Sequence, residues 1–459
     1  MDKLFQYQDE GADFLAVHNY ALLADEMGLG KTVQAIRGLD RILATRAVVI
    51  APSVARINWL REFELWGTSP RNCQVMTNLR DRPVDSAQII ICSFDFATEN
   101  STWIRDWLAA DPTSKLIIDE AHFLKSHEAK RSKKILGVEG IVRGAKGGCW
   151  LLSGTPAPNH YGELWIMLFT FGVTKLSYND FLFRYCFTRM TTYGLKVVAV
   201  RTEHVQELRQ LLSKIMLRRL KKDVMKELPP IFYGHVNVEA GPVDLEILPS
   251  FTQYFLPTDR RQELKAELEK QAALLSAVFD NMKPNQDDKL AAVSAISDSI
   301  STLRRYIGLQ KCRDAVELIK GELESNAYKK IVIFAVHRDV IETMRVGLRD
   351  FGAVVLYGGT DPETRQKNID KFQNNEKCRV FIGNIMAAGT AITLTAAHHV
   401  TFVEQDWVPG NNAQAIMRCH RIGQTNTVQV RFLVLDGTLD AKIGFILKRK
   451  TEQLTRLLD

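Results

Sequence analysis

The segment Ala24-Asp-Glu-Met-Gly-Leu-Gly-Lys-Thr32 follows the apolar run Tyr20–Leu23 and precedes Val33-Gln-Ala-Ile-Arg37, whose pattern predicts a helix. A strand, a glycine-rich turn and a helix make a phosphate cradle, because the N–H groups at the helix start have no intrahelical partner and attract anions. Gly28, Leu29 and Gly30 would turn backbone N–H groups toward the β- and γ-phosphates of a nucleotide. Lys31 would add a point charge, and the Thr32 hydroxyl is placed to ligate Mg²⁺. The first glycine of the general phosphate-loop pattern is replaced by Asp25. A Gly-Lys-Thr triplet alone would also fit a helix cap or a surface turn. A second element, Leu116-Ile-Ile-Asp119-Glu120-Ala-His122, lies 88 residues after Lys31 and favours the nucleotide reading. An apolar strand ending in two carboxylates sets them at the carboxyl edge of a sheet, beside the loop. Asp119 would hold Mg²⁺ through water, and Glu120 would orient or deprotonate an attacking water.

Positioning these groups requires a particular kind of scaffold. Short apolar runs at 20–23, 47–51, 89–93, 116–118 and 150–152 alternate with helical stretches rich in Lys, Arg and Glu. The rhythm returns at 331–334, 354–356, 380–382, 400–403 and 428–435. Runs of that length, apolar throughout, predict parallel strands covered on both faces by helices, so the fold class is α/β with two such lobes. Between them, after Leu228-Pro-Pro230, come one strand-like run, 231–238, and about seventy residues of helical periodicity, with apolar positions such as Leu264, Leu268, Leu275, Ile300, Leu303 and Ile307. The expected division is lobe one at 1–228 with a helical protrusion near 160–225, a linker strand and helical insertion at 229–310, and lobe two at 311–459.

Composition excludes several classes. The 459 residues are 46% hydrophobic and 25% charged with only 14 Pro and 28 Gly, the balance of a globular protein rather than a disordered or collagen-like one. No apolar run approaches the roughly 18 residues of a membrane span, and the start lacks the basic and apolar stretches of a secretory leader. The seven cysteines are scattered without metal-site spacing and read as reduced and buried. A net charge of +7 permits a polyanionic partner without demonstrating one. The expected location is the cytoplasm, nucleoid-associated or in an infected host cell, if the source is prokaryotic or viral, and the nucleus if it is eukaryotic.

Taken together with Ser153-Gly-Thr155-Pro-Ala-Pro-Asn159 and Gln414-Ala-Ile-Met-Arg418-Cys-His-Arg421-Ile-Gly-Gln424, these motifs resemble those of superfamily-two helicase-type ATPases. Met27, the run Leu217-Arg-Arg-Leu-Lys-Lys-Asp-Val224 and the 420–424 ending resemble more narrowly the Swi/Snf (Snf-two) branch. The likeness spans almost the whole chain, in family order, and looks nearest to the subgroup of annealing helicases and fork-remodelling translocases. It implies two RecA-like lobes, ATP with Mg²⁺, and double-stranded or branched DNA held without much regard to sequence, by a monomer without membrane contact.

The resemblance also implies roles. Gln8 would read adenine. His122, Ser153, Thr155, Gln414 and Gln424 would couple hydrolysis to lobe movement. Arg418 and Arg421, on one helical face if that segment is helical, would reach the γ-phosphate. Ser53, Arg56, Ser93, Thr360 and Thr395 are candidate DNA grips, each equally readable as a turn or cap. Ala391 and Thr393 depart from the family pattern, which bears on coupling. The basic runs 130–134 and 218–222 could line a duplex or be solvated faces. Alternatives left open are a protein-displacing or chromatin-remodelling motor, a motor subunit of a larger complex, and an RNA helicase.

Overall fold

The computed structural model describes residues 4–191, 194–225, 227–241, 297–388 and 392–436, together with Thr438, Asp440, Gly444, Leu447 and Leu457. Two compact units emerge: Met1–Glu227 with Glu452–Asp459, and Leu228–Thr451.

The first is built on a parallel seven-stranded sheet. Its strands in chain order are β1 (Tyr20–Leu23), β2 (Ala47–Ala51), β3 (Cys73–Val75), β4 (Ile89–Ser93), β5 (Lys115–Asp119), β6 (Cys149–Leu152) and, after a two-stranded hairpin β7 (Cys186–Thr191) and β8 (Gly194–Val200), β9 (Met216–Leu217). The spatial order is β3-β4-β2-β5-β6-β1-β9. Alternation along each strand feeds two cores. Leu22, Val48, Ile50, Ile90, Leu116 and Leu151 pack on one face, and Ala21, Val49, Ile91, Ile117 and Trp150 on the other. Both faces are covered, so the strands read as unbroken apolar runs. The acidic pair follows from β5, which Asp119 ends opposite Leu152 of β6, itself opposite Leu23 of β1. The carboxyl ends of three adjacent strands therefore deliver the acidic pair, Ser153 and the glycine-rich loop side by side.

The second unit carries a parallel six-stranded sheet: β10 (Ile231–Val238), β11 (Ile331–Ala335), β12 (Val354–Leu356), β13 (Val380–Asn384), β14 (His399–Phe402) and β15 (Val428–Leu435), in the order β10-β15-β14-β11-β13-β12. The two expected parallel α/β lobes are thus present. Three expectations change. The strand expected as a linker is an edge strand of the second sheet, in register with β15 along its whole length. The helix Ser297–Glu324 runs across the expected boundary at 310, so that Leu309 as well as Cys312, Ala315, Ile319 and Leu323 packs into that lobe's core. The protrusion near 160–225 is not wholly helical, because it contains the β7–β8 hairpin. The rest of the expected insertion, 242–296, lies outside the described residues. Six cysteines are buried and free, and Cys73 is half-buried. No helix among the described residues is long and apolar enough to cross a membrane.

Candidate active site

The loop after β1 closes on the helix Lys31–Arg41, with Gly30 in the left-handed region at φ 76°. A Cβ at Gly30 would also stand 2.4 Å from Gln8 Nε2, so both conformation and space require glycine. Gln8 joins the opening helix Gln6–Val17 to this loop: its Oε1 accepts from Phe5 N at 3.1 Å, and its Nε2 donates to Leu29 O at 3.4 Å. Burial, and secondarily Asp25, pushes the neighbouring Tyr7 hydroxyl up to about 12. Lys31 Nζ donates to the carbonyl of Asp25 at 2.8 Å. Burial lowers its ammonium below the ordinary value, while Glu120, Asp25 and Asp119 oppose that shift, which places all three acids within electrostatic reach of Lys31. Thr32 occupies the next position of the same helix start.

Asp119 and Glu120 meet the loop from β5. Trp59 Nε1 donates to Asp119 Oδ2 at 2.9 Å, and the N–H of Glu120 donates to Oδ1 at 2.9 Å. By surface area Asp119 is only half-buried, yet its carboxyl sits in a recess of protein atoms. That burial, with Glu120 beside it, pushes its pKa up to about 6 despite Trp59 and Lys31. Glu120 has φ 50° and ψ 51°, a left-handed conformation that costs a non-glycine residue roughly 1–3 kcal/mol and concentrates at functional sites. From there Glu120 Oε2 stands 3.3 Å from His122 Nδ1, which is 3.2 Å from Ser153 Oγ. Ser153 Oγ in turn accepts from Thr155 N at 3.2 Å. A continuous polar chain thus runs from the acid pair to the segment 153–155.

Asp25 explains its own departure from glycine. Its carboxylate has no solvent exposure, and it accepts from Arg219 N and Nε at 3.0 Å each, Arg219 Nη2 at 2.6 Å and Gln34 Nε2 at 3.1 Å. Arg219 also reaches the carbonyl of Tyr7, Arg218 Nη1 donates to the carbonyl of Ala24 at 2.9 Å, and Lys221 N donates to Glu26 Oε2 at 2.7 Å. The run 218–222, expected as a duplex-lining or solvated face, is instead in part a brace on the phosphate loop: β9 pairs with β1 and delivers its next residues there. Trp59, Gln34, Arg218 and Arg219 were not anticipated. The only sequence signal was Asp25 in a glycine's place, which demands a cation somewhere. By contrast, the short helix Lys130–Leu136 leaves Lys133 and Lys134 exposed.

In the second lobe, Arg418 and Arg421 do not share a helical face. The helix Pro409–Ile416 ends before them, and the carbonyl of Arg418 accepts from Leu394 N at 2.9 Å, which draws the chain out of the helical ladder. Arg421 Nη1 donates to Thr393 Oγ1 at 2.9 Å and to the carbonyl of Ile392 at 3.2 Å. The departure at Thr393 therefore supplies an acceptor, while Ala391 lies outside the described residues. Gln424 Nε2 donates to the carbonyls of Thr395, Ala397 and Cys419 at 3.0–3.2 Å and so ties three turns together. Gln414 is buried.

The candidate DNA grips occupy two places. Ser53 and Arg56 follow β2, and Ser93 ends β4 opposite Ala51, so these share the carboxyl edge of the first sheet. Arg56 Nε donates to the carbonyl of Ser53 at 3.1 Å. Ser93 is buried, and its hydroxyl accepts from Phe96 N at 3.1 Å as the cap of the next helix. In the second lobe, Thr360 Oγ1 accepts from Tyr357 N at 3.1 Å in a turn after β12, and Thr395 Oγ1 accepts from Gln373 Nε2 at 3.3 Å.

Residues 7–273 match the SNF2-related domain, and 310–423 the helicase conserved C-terminal domain. The human DNA annealing helicase and endonuclease ZRANB3 is 30% identical over 98% of the chain and 40% of its own length. The Xenopus tropicalis SWI/SNF-related matrix-associated actin-dependent regulator of chromatin subfamily A-like protein 1 is 30% identical over 98% of the chain and 44% of its own. The chain thus spans less than half the length of these relatives. A solved Sulfolobus solfataricus SWI2/SNF2 ATPase core in complex with dsDNA aligns over 100% of this chain and 97% of that one, at 23% identity and a TM-score of 0.42. With a family model covering more than half of its residues, and with the loop, acid pair and brace arranged on a RecA-like sheet, the chain belongs to the SNF2-related family.

Proposed function

We propose that the chain hydrolyses ATP to ADP and phosphate, and that the cycle drives it along double-stranded DNA to remodel branched structures by branch migration, fork reversal or annealing. The observation that carries this reading is the convergence of Lys31, Asp119, Glu120 and the His122–Ser153 link at one sheet edge, in a chain matched along 98% of its length by a relative named a DNA annealing helicase.

The phosphates would meet the N–H groups of 28–30 and the start of the helix Lys31–Arg41, with the Lys31 ammonium neutralising charge that develops between the β- and γ-phosphates. Thr32 and Asp119 offer hard oxygen donors beside that cradle, the donor chemistry Mg²⁺ takes, and they are the residues that would hold it. When bound, Mg²⁺ offsets phosphate charge. Asp119, raised to about 6, is mostly ionised at neutral pH and ready for that role. Glu120, held by its left-handed backbone and by His122, would orient the attacking water and accept its proton. Ser153 and Thr155 would pass the change at Glu120 to the rest of the lobe. Arg418 and Arg421 would add positive charge from the second lobe. Ser53, Arg56, Thr360 and Thr395 would hold backbone phosphates, a sequence-independent grip.

The test is steady-state ATP hydrolysis with no nucleic acid, single strands, duplex, forked DNA, a four-way junction and RNA, beside Lys31→Ala. Strongest stimulation by duplex or branched DNA, with an inactive variant, is expected. Stimulation by RNA alone overturns the DNA reading, and indifference to every nucleic acid overturns the motor reading.

A further inference from the structure

The hairpin β7–β8 belongs to neither parallel sheet. Its base is anchored, with Cys186 and Val200 buried among Phe181, Tyr185, Leu208 and Leu212. Beyond the base the ribbon emerges into solvent, and Met190 is 71% exposed. A two-stranded ribbon has almost no core of its own, so exposed apolar side chains on it do not stabilise the free protein.

Its charge is equally one-sided. Residues 181–202 contain Arg184, Arg189, Lys196 and Arg201 and no Asp or Glu. Arg184 and Arg201 pair with Glu207 and Glu203 outside that stretch. Arg189 and Lys196 stand directly opposite each other in the register, so two cations leave the same face side by side, an arrangement that repels. On the opposite face Met190 stands opposite Leu195 near the tip, while Val197, opposite Thr188, packs back onto the apolar cluster at the base. One face thus suits a row of phosphates and the other a flat apolar surface. Plain duplex presents phosphates but hides its base faces, whereas a branch point presents both.

We propose that this hairpin is the surface with which the chain engages the branch of a DNA junction, Arg189 and Lys196 on backbone phosphates and Met190 with Leu195 against the exposed base pair. The inference rests on the DNA-motor reading above and names the element that would give it structural preference.

The test uses the full chain and two variants, Arg189→Gln with Lys196→Gln, and Met190→Ser. Binding to a labelled four-way junction and to a plain duplex of equal length is followed by fluorescence anisotropy across a salt series, with DNA-free ATP hydrolysis and thermal unfolding as fold controls. Loss of two phosphate contacts should reduce the slope of log affinity against log salt by about 1.8, at roughly 0.9 per contact, and weaken junction binding about tenfold near 0.15 M salt. Met190→Ser should reduce the junction-to-duplex preference by roughly fivefold or more without changing the salt slope, the scale of one apolar side chain removed from water. Unchanged junction affinity and slope in the charge variant overturn the proposal, as does equal weakening on junction and duplex by Met190→Ser. A wild-type chain whose hydrolysis ignores every DNA overturns the motor reading together with this one, and that failure is visible without either variant.

Discussion

Replacing Arg219 by glutamine removes two of the four hydrogen bonds on the Asp25 carboxylate, those from Nε and Nη2, and the positive charge that compensates it. The backbone N–H of residue 219 and Gln34 would still donate. Because Asp25 has no solvent exposure, it cannot be rescued by water. Breaking a buried pair from one side costs about 3–5 kcal/mol. For a lobe of this size each kcal/mol corresponds to roughly 2–4 °C, so the unfolding midpoint of the first lobe should fall by about 6–20 °C. Asp25→Asn combined with Arg219→Gln removes both charges and retains the shape, and should recover most of that loss. The assay is thermal or urea unfolding followed by Trp fluorescence, with fluorescent-nucleotide binding on the same samples. Since Arg219 also holds the Tyr7 carbonyl beside Gln8, nucleotide affinity should fall in the single variant even at temperatures where the lobe is folded. A single variant within about 1 kcal/mol of wild type, or a double variant no better than the single one, would refute the claim that Arg219 neutralises a buried Asp25.

Lys31→Ala should lower hydrolysis by on the order of 10²–10³-fold, as removal of a charge-stabilising donor does elsewhere, with the unfolding midpoint little changed. Asp119→Asn should abolish hydrolysis yet stabilise the unliganded protein. The folded carboxyl is raised from 3.8 to about 6, so its favourable contribution is present in acid and lost as pH rises through about 6. At pH 8 the variant should gain at most roughly 2 kcal/mol, the roughly 3 kcal/mol of the shift less about 1 kcal/mol for the N–H of Trp59 or Glu120 that the amide nitrogen cannot accept, and the gain should vanish toward pH 4 in a series of unfolding curves. Ser153→Ala removes the hydroxyl that joins His122 Nδ1 to Thr155 N through two hydrogen bonds; with the His122 bond alone worth about 1 kcal/mol, DNA-stimulated hydrolysis should fall about fivefold relative to the DNA-free rate with nucleotide affinity retained.

The sheets were legible because parallel strands buried on both faces leave a mark that needs no partner to be read. Ile89 to Ser93, for example, is apolar at four of its five positions, and every such run fell in a strand. The nucleotide loop and the acid pair were legible for a related reason: each chemical requirement is met by contiguous residues at a strand end, and the strand order alone brings Gly30, Asp119 and Ser153 together. Short edge pieces were not. Met216–Leu217 and Cys73–Val75 have too few residues for a period to show. The shared helical face of Arg418 and Arg421, expected only if their segment is helical, does not form, since the helix ends at Ile416 and the carbonyl of Arg418 accepts from Leu394 N, a tertiary event that spacing cannot show. Trp59 gave no sign at all, because an indole N–H aimed at a carboxylate looks in sequence like any other buried aromatic.

Asp25 marks the boundary between what local sequence can and cannot carry. A buried carboxylate in a glycine's place implies a compensating cation, but nothing local identifies which of the chain's 60 Lys and Arg residues supplies it. The partner lies 194 residues on, within a basic run that charge patterning alone assigns to solvent or to a polyanion. What brings it back is β9, two residues long, in register with Leu22 and Leu23 of the very strand that launches the phosphate loop. The brace consequently spans the first lobe from its opening helix to its last strand, and the segment between includes the hairpin whose outer faces are cationic and apolar. The loop geometry is therefore set by a turn near the end of the lobe's sequence as well as by the glycines. In that arrangement a load on the hairpin has a covalent route of fewer than twenty residues, from Val200 to Arg218 and Arg219, to Ala24 and Asp25 at the start of the glycine-rich loop.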